Sequence, residues 1–567
     1  MLFIFSKKNI DFKDKFSYTR SIGDYNFSCD SEKCKIIKLS KINEVFILGD
    51  CINYEILNGE NIFSNKFMKK LKGLFILISI SNDSFQIYSS LFGILPVYFT
   101  LNYKTISNSI ELIKEIEVLP SKINKQFILE SYLFNYSFSN RTYIDNIKRL
   151  DAFSGIMYKN GSVFKEKYEN ILNWFTNEPL NGSKYLKEMA ELFIQQTKQY
   201  YCQENNSVSF TSGFDGRSIA SVGLLYNKIF ETFSWGSSDN DDVKIPRNNA
   251  KELGLVYRYY NLHEPSYIES YLELSRRMSK TTGGFNGFLY PHFLFGALKE
   301  KRYSNTLLVG YCGSELFRAL HIQGAVSSKD LVLVFNEPDD ISLKNQLWNS
   351  EKLSFIVKSK FTSEFENLFE EILEFRKTQS SFHTKNHFFY SYIFSEVFRK
   401  VFGSWASSQM EEIIVRVPFL DYDFVIELLK TDLAGCNNDF FIHNPFKRLN
   451  GQQLYAEIIR QSNGGLYKMK TGKGYRPIDL LTLQGKVRIL FPYLKKKLVR
   501  QYTQPNLDNL GIISAYQYHK NEIDNLYKNL EGFEISRILE SSNNLNSYTS
   551  EEERDILLQT ASLASIL

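Results

Sequence analysis

Residues 208–217 read Val-Ser-Phe-Thr-Ser-Gly-Phe-Asp-Gly-Arg. A short β-branched and aromatic run gives way to small, hydroxyl-bearing residues around one Asp, and apolar residues resume from Ile219 to Leu225. The pattern predicts a strand that turns into a helix through an anion-binding loop. Backbone N–H groups and hydroxyls at a helix N-terminus suit phosphate, and a carboxylate there makes most sense when a cation accompanies the phosphate. Working outward, Tyr185–Tyr200 carries apolar residues at helical intervals, Thr232–Trp235 reads as a second strand, a helix runs through Ala250-Lys-Glu-Leu-Gly, and Thr306–Val309 reads as a further strand. Strand–helix alternation of this kind argues for a parallel sheet. Helices dominate beyond about residue 265.

Upstream, the texture differs. Lys35–Leu39, Glu44–Leu48, Leu74–Ser79, Ser84–Tyr88 and Pro96–Thr100 are short alternating or apolar runs separated by Asn, Asp, Gly and Ser, as expected of strands. One stretch, Lys125–Phe134, has helical spacing, and strand-like patterning returns near Gly155. The reading is an antiparallel α/β domain over 1–177, a linker-like stretch at Asn177–Ser183, a second domain over 183–504 and a polar, loosely helical tail over 505–567 with no assigned role.

Composition bounds the function. The 567 residues are 43% hydrophobic, 23% charged and 15% aromatic, which is a globular balance. A net charge of +5, from 68 basic and 63 acidic residues, does not call for nucleic acid, and the basic cluster Lys495–Arg500 reads as a solvated helix face. Six scattered cysteines without a CxxC pair fit free thiols in a reducing cytoplasm, and Cys29 and Cys34 lack a second pair at zinc spacing. The N-terminal segment has too few apolar residues for a signal-peptide core, and no run of 18 apolar residues exists, so a soluble, cytoplasmic chain without membrane partners is expected.

Thr211-Ser212-Gly213-Phe214-Asp215-Gly216 resembles the Ser-Gly-Gly-x-Asp-Ser pyrophosphate loop of ATP pyrophosphatases, in the version carried by the asparagine synthetase family. Other segments agree in order and spacing. Leu71-Lys-Gly-Leu-Phe, Gly93-Ile-Leu-Pro-Val-Tyr-Phe, and Thr142 to Leu150 with Gly155 are similar to the family's glutaminase-like domain. Leu308-Val-Gly-Tyr-Cys-Gly-Ser-Glu-Leu-Phe-Arg resembles its Ser-Gly-Glu-Gly-Ser-Asp-Glu-Leu-Phe-Gly motif, and Val415-Arg-Val-Pro-Phe-Leu-Asp is close to its Val-Arg-x-Pro-Phe-Leu-Asp hallmark. The resemblance implies an Ntn-hydrolase-like αββα domain followed by a parallel-sheet ATP-pyrophosphatase domain (adenine nucleotide α-hydrolase-like) with many helices. It also implies ATP and Mg²⁺ as cofactors, and it leaves room for a homodimer.

Departures narrow it further. Glutamine-hydrolysing members use a cysteine made N-terminal by loss of Met1. Here position 2 is Leu2, Cys29 is no chain end, and the family's Arg-Asp pair is Ser89-Ser90, so the first domain is expected to keep the fold without the glutaminase. In the second domain the resemblance assigns Thr211, Ser212, the amides of Gly213 and Gly216, and Arg217 to the phosphates. Asp215 goes to Mg²⁺, and Ser234 and Gly236, at the strand end before Asp239, Asp241 and Asp242, go to adenine. The loop differs from the family at Ser212, where Gly is usual, and at Gly216, where Ser is usual.

Tyr311 stands where asparagine-forming members have Glu and β-lactam-closing members have Tyr. A tyrosine of pKa about 10 needs a carboxylate partner to act as a base, and Glu396 is the candidate, the other reading of Tyr311 being a pocket wall. The family's second metal Asp falls on Ser314, with Glu315 adjacent as the substitute. Lys473, or else Lys470, matches its C-terminal catalytic lysine. Thr471-Gly-Lys is no Walker A loop, because neither the upstream Gly nor a following Ser or Thr is present. Arg416 and Asp421 read as packing beneath the site. His383 and His387 have i,i+4 spacing but no third ligand, so a packing or solvated role is expected.

The expected function is an ATP-dependent, AMP-forming ligase that adenylates a small-molecule or peptide carboxylate and couples it to an amine. Lactam formation, lasso-peptide-type macrocyclisation and amidation in specialised or surface-polysaccharide pathways are the settings the family suggests. Two rivals stand beside it: ammonia-dependent amidation of the asparagine synthetase kind, and a non-catalytic binding protein that retains the fold, for which Ser314 is the reason.

Overall fold

A computed structural model describes residues 1–8, 15–40, 43–58, 65–118, 123–284, 286–317, 327–438, 449–489, 510–530 and 551–567. The basic cluster at 495–500 and the expected boundary at 504 lie outside the described residues. The chain is mixed α/β, with two antiparallel sheets, one parallel sheet and many helices.

Strands β1 (Phe3–Ser6), β2 (Tyr18–Ile22), β3 (Tyr25–Cys29), β4 (Cys34–Lys38), β5 (Glu44–Cys51), β6 (Gly73–Ile80), β7 (Phe85–Ser89), β8 (Tyr98–Thr100), β9 (Thr105–Ser107), β10 (Ile147–Arg149), β11 (Ser154–Lys159) and β12 (Ser162–Lys167) form the first half. They pair as two six-stranded sheets of order β10-β8-β9-β1-β3-β2 and β12-β11-β7-β6-β5-β4. Successive side chains on a strand point to opposite faces. Accordingly Phe3 and Phe5 enter the main core, while Ile4 meets Phe16, Leu112 and Ile116 in a separate cluster that includes the helix Ile110–Glu117. The facing sheets join through aromatic rings, with Phe5 and Phe85 centroids 4.1 Å apart and Phe27 and Phe46 5.1 Å apart. The helix Lys125–Phe134 forms as its spacing predicts, opened by the Asn124 side chain, which accepts from the Phe127 amide.

Strands β13 (Asn206–Ser209), β14 (Phe230–Gly236), β15 (Tyr257–Asn261), β16 (Thr306–Leu308) and β17 (Ile414–Arg416) form an all-parallel sheet of order β15-β14-β13-β16-β17. Its first strand in the chain, β13, lies in the middle, so the winding reverses between β13 and β16. In open α/β sheets the crevice outside the carboxyl ends of strands at such a reversal is the usual ligand position. The loop at 210–214 leaves β13 at that point.

The halves are fastened together by polar groups. On β17, Arg416 Nε donates to Asp50 Oδ2 at 2.7 Å and its NH1 to the Tyr200 carbonyl at 2.8 Å. Asp421 accepts from Lys72 Nζ at 2.7 Å and caps the helix Tyr422–Leu429 through the Phe424 amide. The hallmark segment therefore joins the parallel sheet to the antiparallel half, a structural role that agrees with its reading as packing. Fully buried Arg399 adds a second fastening, donating to the Leu150 carbonyl at 3.0 Å. The linker-like stretch is also held, because the Leu180 amide donates to the Lys430 carbonyl at 2.8 Å.

The described part of the tail is helical and packed. The helix Glu551–Ala564 buries Leu557, Ala561 and Ala564 completely. Thr560 Oγ1 lies 2.6 Å from the Tyr132 hydroxyl, and Ser562 Oγ accepts from the Phe288 amide at 3.0 Å, so this helix packs against both halves. Its small Ala and Ser residues, which look polar or neutral in sequence, are what lets it fit into a closely packed cleft. No helix among the described residues is long and apolar enough to cross a membrane.

Candidate functional site at the carboxyl edge of the parallel sheet

The helix Asp215–Leu225 begins without a side-chain cap, which leaves its first backbone N–H groups directed into the loop that precedes it. Gly216 is dictated by close packing: a Cβ there would lie 2.0 Å from the Ser209 carbonyl oxygen. The seryl hydroxyl that the family places at this position has no room here, and the glycine lets the helix close onto β13. Gly213 is open, since a Cβ would meet only Thr211 Oγ1 within 4 Å, at 3.5 Å. The Gly213 amide donates to Thr211 Oγ1 at 3.4 Å.

Asp215 is the hub. Its Oδ1 accepts from the Tyr455 hydroxyl and its Oδ2 from Ser314 Oγ at 3.2 Å. The loop after β16 wraps it closely, because a Cβ on Gly310 would lie 2.4 Å from Asp215 Cβ and one on Gly313 2.5 Å from Asp215 Oδ1. Buried Cys312, at φ 65°, sits beside this hub; burial pushes its thiol well above the ordinary value, and the charges of Glu315 and Asp215 add to the shift. Sequence reading missed Tyr455, which lies 240 residues from Asp215 in no recognisable motif. Among the described residues no three His, Cys, Asp or Glu side chains converge as a metal site. Asp215 and Glu315 are the carboxylates that could hold a cation together with substrate phosphates.

Other predicted residues are engaged differently from expectation. Ser212 donates from both N and Oγ to Asp242 Oδ1, at 3.1 and 2.5 Å, and its carbonyl accepts from the Gly472 amide at 3.1 Å. Its hydroxyl thus ties the loop to the helix Asp241–Glu252, and its carbonyl ties it to the 470–474 segment. Arg217 is fully buried, and its guanidinium donates to the Lys470 carbonyl at 2.9 Å and the Leu466 carbonyl at 3.5 Å. With the Asn249 amide oriented to satisfy both groups, Asn249 Oδ1 accepts from it as well. Burial alone lowers Arg217 to about 10. Arg217 holds the segment that carries Lys473 and does not pair with an anion at the loop. Lys473 Nζ lies 5.1 Å from the Phe214 ring centroid, beside the loop.

At the edge of β14, Ser234 is buried and its Oγ lies 2.6 Å from the Tyr257 hydroxyl, while Gly236 ends the strand at φ 134°. Ser234 therefore joins β14 to β15.

Tyr311 and Glu396 are not brought together. Tyr311 donates its hydroxyl to Gln409 Oε1 at 2.7 Å, whereas Glu396 pairs with Arg399 NH2 at 2.5 Å and Lys400 Nζ at 2.6 Å. Arg399 and Lys400 are both anchored on carbonyls of the first half, which holds Glu396 at the interface between halves. Burial pushes the Tyr311 hydroxyl well above its ordinary value, and a neutral amide cannot accept its proton as a carboxylate would. The pocket-wall alternative is the one its neighbours favour. His387 Nε2 lies 2.8 Å from Asn437 Oδ1 and its ring stacks on Phe175 at 4.9 Å, a packing role.

No family model matches the chain, and no curated protein matches it. Among solved structures, one described as "structure of the allosteric regulatory enzyme of purine biosynthesis" is similar over 55% of this chain and 69% of that chain, at 8% identity and a TM-score of 0.16. A superposition at that level does not define a shared fold.

Proposed function

We propose that the chain is an ATP-dependent, AMP-forming ligase of amide bonds, with an Ntn-hydrolase-like first half and an ATP-pyrophosphatase-like second half. The observation that carries this is the Asp215 loop: an uncapped helix start at the switch point of a parallel sheet, with the loop after β16 wrapped against its carboxylate. The substrate carboxylate oxygen attacks the α phosphorus of ATP, pyrophosphate leaves, and an amine nitrogen then displaces AMP from the acyl carbon. Backbone N–H groups at Gly213 and Gly216 supply hydrogen bonds to phosphate oxygens, and Lys473 supplies positive charge to the leaving group. Bound Mg²⁺, held by Asp215 and Glu315, would neutralise charge that develops on the phosphates. Ser89 and Ser90, where the glutaminase-bearing relatives have Arg-Asp, favour an amine or free ammonia as the nitrogen source.

A second reading has its own observation. Ser314 occupies the position of the family's second metal carboxylate and donates to Asp215, which supports a nucleotide-binding protein without turnover. Incubation with ATP, Mg²⁺, a pool of carboxylic acids and hydroxylamine separates the two. Pyrophosphate and AMP in equal amounts are expected of the ligase; calorimetric ATP binding without pyrophosphate would favour the second reading; neither would overturn both. Dependence on aspartate and ammonia alone would identify the asparagine-forming kind.

A further inference from the structure

Beside the Asp215 loop, at the same edge of the sheet, six rings converge from four segments. Trp235 is the next-to-last residue of β14, Tyr311 follows β16, His292 and Phe293 open the helix Pro291–Glu300, and Phe402 and Trp405 lie just before β17 in the chain. Phe293 is the centre: its ring meets Trp235 edge-on at 5.3 Å and Tyr311 edge-on at 5.8 Å, and it stacks on Trp405 at 4.7 Å. Tyr311 also meets Trp405 at 5.6 Å and Phe402 at 6.1 Å, and His292 meets Trp235 at 5.6 Å. The cluster is continuous with the Asp215 loop, since Tyr311 directly follows Gly310, where a Cβ would lie 2.4 Å from Asp215 Cβ.

Three of these rings, Trp235, Tyr311 and Trp405, are only partly buried, so the cluster presents an aromatic face. Two ring nitrogens in it, His292 Nδ1 and Trp405 Nε1, are buried and have no hydrogen-bond partner among the described residues. His292 is 3% exposed, and burial lowers it to about 3, so its ring is neutral at ordinary pH. Such unmet polar atoms are costly in a folded core and are most easily explained where another molecule supplies the partner. The single polar side chain seen to bind Tyr311 is the neutral amide of Gln409. Aspartate, with a second carboxylate and an ammonium to place, would find little here, whereas a flat apolar ring stacks well and its carboxylate can accept from Trp405.

Resting on the ligase reading for its chemistry, we infer that the acid activated at this site carries an aromatic ring, which is held by the Trp235–Phe293–Tyr311–Trp405 face with its carboxylate turned toward the Asp215 loop.

The test measures binding first and turnover second, on the full chain. Titration with 3-phenylpropionate without ATP, followed by calorimetry and by tryptophan fluorescence, is expected to show saturable binding that aspartate and hexanoate do not match. Phe293→Leu is expected to weaken it about tenfold and Trp405→Phe, which keeps the ring and removes the N–H, about fivefold. Thermal unfolding of both variants checks that they remain folded. Aspartate binding as tightly as 3-phenylpropionate by the wild-type chain, or no saturable binding of the aromatic acid, overturns the inference without any variant. Aromatic-acid binding unchanged in folded Phe293→Leu overturns the placement. Aromatic-acid binding with no AMP from any acid defeats the ligase reading and leaves the aromatic face standing; AMP formed from aspartate but not from the aromatic acid does the reverse.

Discussion

In the antiparallel half, neighbouring strands run in opposite directions, so their loops leave by both edges of each sheet. In the parallel half, the carboxyl ends of β13, β14 and β16 all reach one edge. Both halves bury extensive apolar surface, but their polar groups sit differently. At the end of β7, Ser89 is buried and donates to the Leu95 carbonyl at 3.0 Å, a contact that stabilises a turn. At the parallel edge, Asp215, Ser314, Tyr455 and Lys473 gather from distant parts of the chain around one loop. The common strand direction brings these loops to one edge, where residues distant in sequence can meet. The antiparallel half then acts as the support to which the parallel sheet is fastened.

That division of labour can be broken in graded ways. Removing the fastening should have the largest effect: Arg416→Ala leaves Asp50 without its guanidinium and the Tyr200 carbonyl without a donor, and should cost about 3 kcal/mol in chemical denaturation. Unfolding of the antiparallel half with an unchanged midpoint would show that the two halves are not coupled. Next, Asp215→Asn should lower ATP-dependent pyrophosphate release about a hundredfold while shifting the unfolding midpoint less than Arg416→Ala does. A loss of stability as large as that of Arg416→Ala would make Asp215 a structural residue like Ser89.

Smaller effects sharpen the contrast. Tyr311→Phe removes one hydrogen bond to Gln409 and should cost about 1 kcal/mol in thermal unfolding with pyrophosphate release intact; abolished release would restore Tyr311 to catalysis. The smallest effect concerns pH. Burial works to raise the Glu412 carboxyl, but Arg277 and Lys301 outweigh it and hold the group below its ordinary value of 4.5. A depressed carboxyl stabilises the fold above that ordinary value and loses the contribution as pH falls through its folded value. Glu412→Gln should therefore be less stable than wild type near neutrality by under about 1 kcal/mol, with the gap closing in acid. A gap that widens toward acid would contradict the assignment.

Much of this fold is legible in sequence because its elements are local. The strand, loop and helix at 206–225 and the helix Lys125–Phe134 follow from hydrophobic spacing and turn residues within a dozen positions. Strand β17 is only three residues long and escapes such reading, although its last two residues, Val415 and Arg416, open the hallmark. The site is legible only where one loop carries it. Tyr455 on Asp215, Gln409 on Tyr311 and Gly472 on Ser212 are pairings across 98 to 260 residues, set by packing that no local pattern encodes. Glu396 illustrates the converse: it follows a buried aromatic run in a plausible position, yet Arg399 and Lys400, three and four residues on, capture it along the same helix.

The crowding at Gly216 has a consequence for inheritance. Any side chain there begins with the same Cβ and meets the same Ser209 oxygen at 2.0 Å, so every replacement is refused by one atom of backbone. The codon can drift in its third base, but in no other way without moving strand β13 off its helix.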